Sequence, residues 1–456
     1  MLYRFYWNNL EFEFCHEENS NDQNIFTVIV GKNGTGKSQL LRAIAFNICL
    51  DLEPFIDFEK ERFGKPHLTR ALNMSNRRFS RVIAASTSPF DKFPFPRRSK
   101  KIITSDVYTY FGLRGMNTRD LGFSYTARVI NGLIESISKS PDKACAIYDV
   151  LRYLGYNGRI RANFSLSVNK SKLFDITSSI RPEDAFITYL ENPSSSRVID
   201  KTYFMNRIGG YDYWKIQKAI RLLMTYENIG IKNTFHIDIT ERGLLLPLFE
   251  LAKDDILFLI SSGLASLKKI ALTRTDTREI IYINEASSGE QSIAINFMAI
   301  ASKIKDNCLI LIDEPEICLH PEWQEKYIPL LQSSFGSFKN CHFIIATHSP
   351  QIVSNLTSQN CFVMSMEERI AVPASTVSNK SIDFQLAHTF KSPGHKNEYL
   401  SRELISFLTD FGSSERLTSE RVDKVKDLIK LEETLEKNDP VRKLILMAKE
   451  VVEGYL

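Results

Sequence analysis

The chain of 456 residues lacks several things, and each absence removes a class of protein. No apolar run reaches the ~18 residues that a bilayer crossing needs, so neither a membrane span nor a membrane partner is expected. No apolar signal segment is recognised at the start, which fits a cytoplasmic location. The net charge is only +4, so there is no chain-wide basic field, and any nucleic-acid contact must come from a local patch. The seven cysteines form no C-x-x-C pair, and several lie inside apolar runs, where reduced buried thiols are expected. No heptad pattern is sustained across residues 117–275, so no long coiled coil is expected there. Charged residues are 25% and apolar residues 43%, ordinary fractions that exclude disordered and fibrous chains.

What is present begins with Gly31-Lys32-Asn33-Gly34-Thr35-Gly36-Lys37-Ser38. This is the G-x-x-x-x-G-K-[ST] spacing, in which glycines let backbone N–H groups curl around phosphates at a helix N-terminus. Phe26–Val30 before it reads as a buried strand, and Gln39 to Leu50 after it has helical apolar spacing. Asn33, Gly34, Thr35, Gly36, Lys37, Ser38 and Gln39 are therefore the expected contacts to the phosphates of a nucleoside triphosphate.

A second element lies far downstream. Cys308-Leu309-Ile310-Leu311-Ile312 is an apolar run ending in Asp313 and Glu314, which puts two acids at the C-terminal edge of a buried strand, where α/β sheets bind ligands. Asp313, together with Ser38, is expected to hold Mg²⁺. Glu314 is expected to orient and polarise the water that attacks the γ-phosphate.

A third element, Ser287-Ser288-Gly289-Glu290-Gln291, sits between the strand-like Ile280–Ile283 and a helix from Ser292 to Lys305. It offers a second anion site at a helix N-terminus. A plain cap, with Ser288 capping and Gln291 in the capping-box position, explains the same residues.

Together with Leu319-His320-Pro321 and the stretch from Phe343 to Pro350, these motifs resemble ABC-type ATPases of the SMC and RecF branch. More narrowly, they resemble the compact ATPases of bacterial phage-defence operons, such as the Septu and retron ATPases. The likeness covers about 200 residues. It implies an α/β fold, an ABC-type ATPase head with an inserted helical lobe and a helical C-terminal segment. The expected division is 1–116 and 278–364 for the head, 117–277 for a mainly helical insertion and 365–456 for the helical end. Within the insertion, Trp214–Tyr226 and Leu244–Leu267 read as amphipathic helices.

The resemblance further implies that Ser288, Gly289 and Glu290 contact the γ-phosphate of ATP bound by another subunit, giving homo-oligomers through head-to-head dimers. His348 would occupy the switch-histidine position on the next strand end, as a catalytic residue with Glu314. The glutamine expected after the second strand is missing from Ser86–Asp91, which leaves Asp91 as a candidate for that metal-and-water contact.

Three kinds of work fit such a head. One is a sensor or regulatory subunit whose effector is a separate, PtuB-like HNH nuclease, as in Septu. Another is a RecF-like or SMC-like repair ATPase, and a third is an ATPase–nuclease of the overcoming-lysogenization type. The last would need a D-x-D after a hydrophobic strand beyond Met364, and none is present. DNA contact is expected, if anywhere, at Arg97-Arg98-Ser99-Lys100-Lys101, although such runs are more often solvated loops. Between Tyr399 and Leu435 two amphipathic helices are expected, their apolar faces packed on the head or docked on a partner.

Overall fold

The computed structural model describes residues 1–16, 23–53, 72–74, 78–94, 107–112, 114, 121–192, 199–206, 209–228, 234–246, 252–356, 360–412 and 418–455. The basic run Arg97–Lys101 lies outside them.

At the centre is a seven-stranded sheet. Its middle is three adjacent strands, Ile25–Val30, His342–Ala346 and Cys308–Asp313, followed by Arg81–Ser86 and then Tyr108–Phe111 at one edge. All of these pair in parallel. On the other side come Cys361–Ser365, also parallel, and the antiparallel edge strand Ala371–Pro373. Every residue of the three middle strands is buried, which is why they read as continuous apolar runs and not as alternating ones.

Alternation survives as a division between two cores. Cys308, Ile310 and Ile312 join one apolar cluster, while Leu309 and Leu311 join the cluster on the opposite face. On the first face Phe26, Phe343, Phe335 and Phe297 form a chain of rings with centroid spacings of 4.6, 6.0 and 5.8 Å. Each such buried Phe contributes about 1.5–3 kcal/mol of transfer free energy.

A buried histidine fastens the first strand, Leu2–Trp7, to this sheet. His342 Nδ1 accepts from the Leu2 N–H at 3.2 Å, so the ring proton sits on Nε2, 2.9 Å from Thr27 Oγ1. The Thr27 hydroxyl in turn donates to the Phe14 carbonyl at 2.7 Å. Burial holds the imidazole well below its ordinary pKa of 6.5.

The insertion differs from the helical lobe expected. Its helices, among them Leu121–Lys139 and Tyr213–Asn228, surround a five-stranded antiparallel sheet containing Tyr156–Leu166, Thr234–Thr240, Gly243–Leu245, Ala265–Arg274 and Ile280–Tyr282. Trp214–Tyr226 is helical as expected. Leu244–Leu267 is not one helix: it contains the end of a strand, the short helix Lys253–Ser261 and the start of the next strand. The apolar stripe of the short helix, with Ile256, Leu259 and Ile260 buried, runs on in sequence into the apolar ends of the two strands, which extends the helical reading past its real ends. This strand pairs with Ile280–Tyr282, so one hairpin spans the expected boundary at 277/278.

At the C-terminal end the apolar faces close on one another. Leu400 and Leu404 of the helix Glu398–Gly412 share a separate core with Val425 and Leu428 of Ser419–Ile429. Val441 and Ile445 of Pro440–Tyr455, a third helix of this end, complete it. The two amphipathic faces are thus consumed in a small bundle of their own.

Candidate phosphate-binding site

Parallel pairing brings the functional loops to one edge of the sheet. Asp313 is in register with Ser86 on one side and Ala346 on the other, and Ala346 is in register with Ile29. The loops that follow these four residues therefore emerge together, at the C-terminal end of the strands.

The first loop runs from Gly31 to Gly36 and leads into the helix Lys37–Leu52. Gly34 and Gly36 have φ of 81° and 94°, a conformation that favours glycine. A Cβ on Gly36 would stand 3.1 Å from the ring of Trp7, so the loop lies directly against an indole that sequence reading passed over. Asn33, Gly34 and Gln39 are exposed, as groups meeting a ligand must be.

Lys37 is folded back into its own loop. Its Nζ donates to the carbonyls of Gly31 at 2.7 Å and Lys32 at 3.1 Å, and it lies 3.0 Å from His348 Nδ1. Burial lowers its pKa to about 8, against the opposing pull of Glu316, Glu314 and Asp313. Next to it, Ser38 Oγ donates to Asp313 Oδ1 at 3.0 Å. Burial, with Glu314 nearby, raises Asp313 to about 7 in spite of the Ser38 hydrogen bond. A hydroxyl and a desolvated carboxylate paired beside a phosphate loop are the oxygen ligands that Mg²⁺ takes, and a cation there would remove the cost of the buried charge. The residues fit the ion.

Glu314 follows Asp313 with φ of 50°, a left-handed conformation that costs a non-glycine residue of order 1–3 kcal/mol. Three bonds hold it there. Its N–H donates to the Ala346 carbonyl at 2.9 Å, Thr87 Oγ1 donates to its carbonyl at 3.2 Å, and Ser86 Oγ donates to the Asp313 carbonyl at 3.3 Å. The side chain lies 3.7 Å from His348 Nε2. Burial and the Lys37 charge push His348 down to about 4, so it is neutral.

The sequence reading missed Glu316, whose Oε1 accepts the His348 N–H at 2.5 Å. Its position two residues after Glu314, across Pro315, was the available signal. Asp91 does not stand free for a metal: its carboxylate accepts from Tyr110 Oη at 2.6 Å and from the Phe93 N–H at 3.1 Å.

The third motif is a cap, shifted by one residue from the expected box. Ser287, not Ser288, is the N-cap of the helix Ser288–Lys303. Its hydroxyl accepts from Glu290 N at 3.3 Å, and Glu290 Oε2 accepts from Ser287 N at 2.9 Å. Glu290 also pairs with Arg274 at 3.1 Å, so its carboxylate is turned inward and committed. Ser288 is exposed. Gly289 is pressed against the segment after the acid strand: a Cβ there would meet the Trp323 ring at 2.5 Å and the Cys318 carbonyl at 2.9 Å. Leu319, His320 and Pro321 lead into Trp323's helix, Pro321–Phe335.

A phosphate loop and an acid-ended strand at one edge of a largely parallel sheet, with a glycine-containing helix start in addition, define an α/β ATPase head. The AAA ATPase domain family matches residues 164–353, less than half the chain and without the phosphate loop. The chain is 40% identical over 65 residues to the Retron Ec83 probable ATPase of Escherichia coli, 14% of this chain and 11% of that protein. To the Retron Vc95 probable ATPase of Vibrio cholerae it is 26% identical over 195 residues, 41% of this chain and 33% of that one. To the Septu protein PtuA of Bacillus thuringiensis it is 29% identical over 141 residues, 30% and 34% of the two. These matches span about a third or less of the relatives' lengths. The match to the Smc head domain of Pyrococcus furiosus, 13% identical, covers 81% of this chain and 94% of that one at a TM-score of 0.31. The chain is thus similar, over part of its length, to two retron probable ATPases and to a Septu protein. Among the described residues no helix is long and apolar enough to cross a membrane.

Proposed function

We propose that the protein binds and hydrolyses ATP with Mg²⁺ and acts in the cytoplasm as the regulatory subunit of an antiphage defence complex. The observation that carries the reading is the convergence of Lys37, Ser38, Asp313, Glu314 and His348 at one sheet edge. Gly31 to Gln39 would wrap the phosphates, and Lys37 would exchange its carbonyl partners for phosphate oxygens. Ser38 and Asp313 would hold Mg²⁺, which supplies charge neutralisation when bound. Glu314 would accept the hydrogen bond of the attacking water and aim it, while His348 donates from Nε2 to the developing charge. The strained backbone at Glu314 keeps that carboxylate forward.

Exposed Ser288, on a start that Gly289 fixes against Trp323, would meet the γ-phosphate of a second copy, giving a head-to-head dimer. Glu290 serves by capping that start. Kinship to the Septu protein PtuA supports a separate nuclease subunit as the effector, with an HNH enzyme the expected kind. The test is co-expression of the intact chain with the product of the adjacent gene, followed by affinity capture. Capture of an HNH protein whose DNA cleavage changes with ATP is expected. A stably folded chain that captures no nuclease, or a nuclease indifferent to ATP and to Lys37→Ala, would contradict the regulatory reading.

A further inference from the structure

At the N-terminal edge of the central sheet, opposite the phosphate loop, basic side chains gather. Arg81 opens the strand Arg81–Ser86 and is in register with Cys308, the first residue of the acid strand. Lys303 and Lys305 lie just before Cys308, where the helix Ser288–Lys303 ends. Lys143 opens the helix Lys143–Tyr153, which packs against that helix. Along the strand Cys308–Asp313, at ~3.3 Å per residue, the two edges are about 17 Å apart, so this place is separate from the candidate ATP site.

The side chains converge on the helix Leu121–Lys139. Lys143 is half-buried, and its Nζ donates to Ser136 Oγ at 2.7 Å. Lys303, also half-buried, reaches the same stretch: its Cε stands 3.9 Å from a Cβ built on Gly132. Gly132 and Ser136, at i and i+4, share one helix face. The Arg81 guanidinium is fixed beside them, donating from Nη1 to the Lys303 carbonyl at 3.0 Å. Burial first, and then the charges of Arg81, Lys303 and Lys305, lower Lys143 to about 8.

Carboxylates do not answer these charges. Among the described residues none forms an ion pair with Lys143, Lys303 or Lys305. Glu135 pairs with Lys139 at 2.8 Å, and Asp306 takes the Lys339 N–H at 2.9 Å. Half-buried like charges held together cost stability, and a bound anion removes that cost. The donors suit a phosphate, which carries its charge and several oxygens on one centre. Two amines can share it with the Ser136 hydroxyl, which accepts from Lys143 and keeps its proton to donate. An acidic peptide brings one charge per flexible stem and would meet the two lysines singly.

We propose that Lys143, Lys303 and Ser136, with Arg81 and the exposed Lys305 beside them, bind a phosphate group, carried by a free phosphate chain or by a nucleic-acid strand. The site does not depend on the ATPase reading.

The test uses intact Lys37→Ala protein, in which the phosphate loop is disabled, at about 0.15 M salt, where loose surface attraction is screened. One arm titrates inorganic triphosphate by calorimetry, and the other a fluorescein-labelled single-stranded oligonucleotide by anisotropy. Saturable binding in at least one arm is expected. Triphosphate binding marks a free phosphate chain as the source, and binding of the oligonucleotide alone marks a phosphodiester. Lys143→Met keeps the apolar stem, removes the charge and should weaken binding about tenfold or more. Lys305→Glu changes only an exposed side chain and should weaken it as well, which keeps the proposal testable where Lys143→Met fails to fold. No saturable binding in either arm would overturn the proposal, and so would binding indifferent to both changes. Failure of the ATPase reading would appear separately, as absent turnover in the unaltered chain with this binding intact.

Discussion

Lys37 Nζ stands 3.0 Å from His348 Nδ1, and the opposite ring nitrogen faces Glu314 Oε1 at 3.7 Å. One neutral imidazole thus joins the lysine of the phosphate loop to the acid that would aim water. An ammonium can only donate, so Nδ1 accepts and Nε2 carries the proton. Replacing His348 by Ala removes a donor at the place where charge develops. Phosphate-release assays should show kcat lowered by about 100-fold, with ATP affinity changed far less. Equal loss of both would assign the histidine to binding.

Gly289 has no room for a methyl group. With the Trp323 ring at 2.5 Å and the Cys318 carbonyl at 2.9 Å from a built Cβ, Gly289→Ala should destabilise the protein by about 1–3 kcal/mol and move the exposed Ser288. Thermal unfolding reads the first effect. The second is read by mixing Lys37→Ala with Ser288→Arg protein, each inactive alone. Together they should regain one working composite site in two, and the mixture made with Gly289→Ala in place of Lys37→Ala should not. No recovery despite verified subunit exchange would count against sites shared between copies.

Acid should loosen the attachment of the first strand. His342 is neutral in the fold and held below its ordinary 6.5, so the unfolded chain binds more protons once the pH falls below that value. Its contribution is fully present at higher pH and is lost as pH drops, the sign set by the proton difference. Urea unfolding measured between about pH 5 and 7 should show this loss as pH drops, and His342→Gln should reduce the slope by up to about one proton. An unchanged slope in that variant would place the titration elsewhere.

The phosphate loop and the acid strand were legible because each needs contiguous residues of fixed type, and a fully buried parallel strand announces itself as an apolar run. The cap at Ser287 was misplaced by one residue because adjacent serines satisfy the same pattern. Only the reciprocal bonds to Glu290 separate them. Glu316 left no signal but its nearness to Glu314, and Trp7 left none, because their roles depend on approaches across the chain, to His348 N and to Gly36. The antiparallel sheet of the insertion was missed although Tyr156–Leu166 alternates buried and exposed residues along its length, because its partner strands lie far away in sequence, between helices. Likewise, the amphipathic faces after Tyr399 were visible, but not that they would cover one another.

The most direct measurement is steady-state ATP hydrolysis by Glu314→Gln protein alongside equilibrium binding of ATP. The amide keeps the shape and the backbone bonds to Ala346 and Thr87 but loses the charge that polarises water. Binding within about threefold of the unaltered protein and turnover lowered by about 100-fold or more are predicted. Unchanged turnover would contradict the account at its centre.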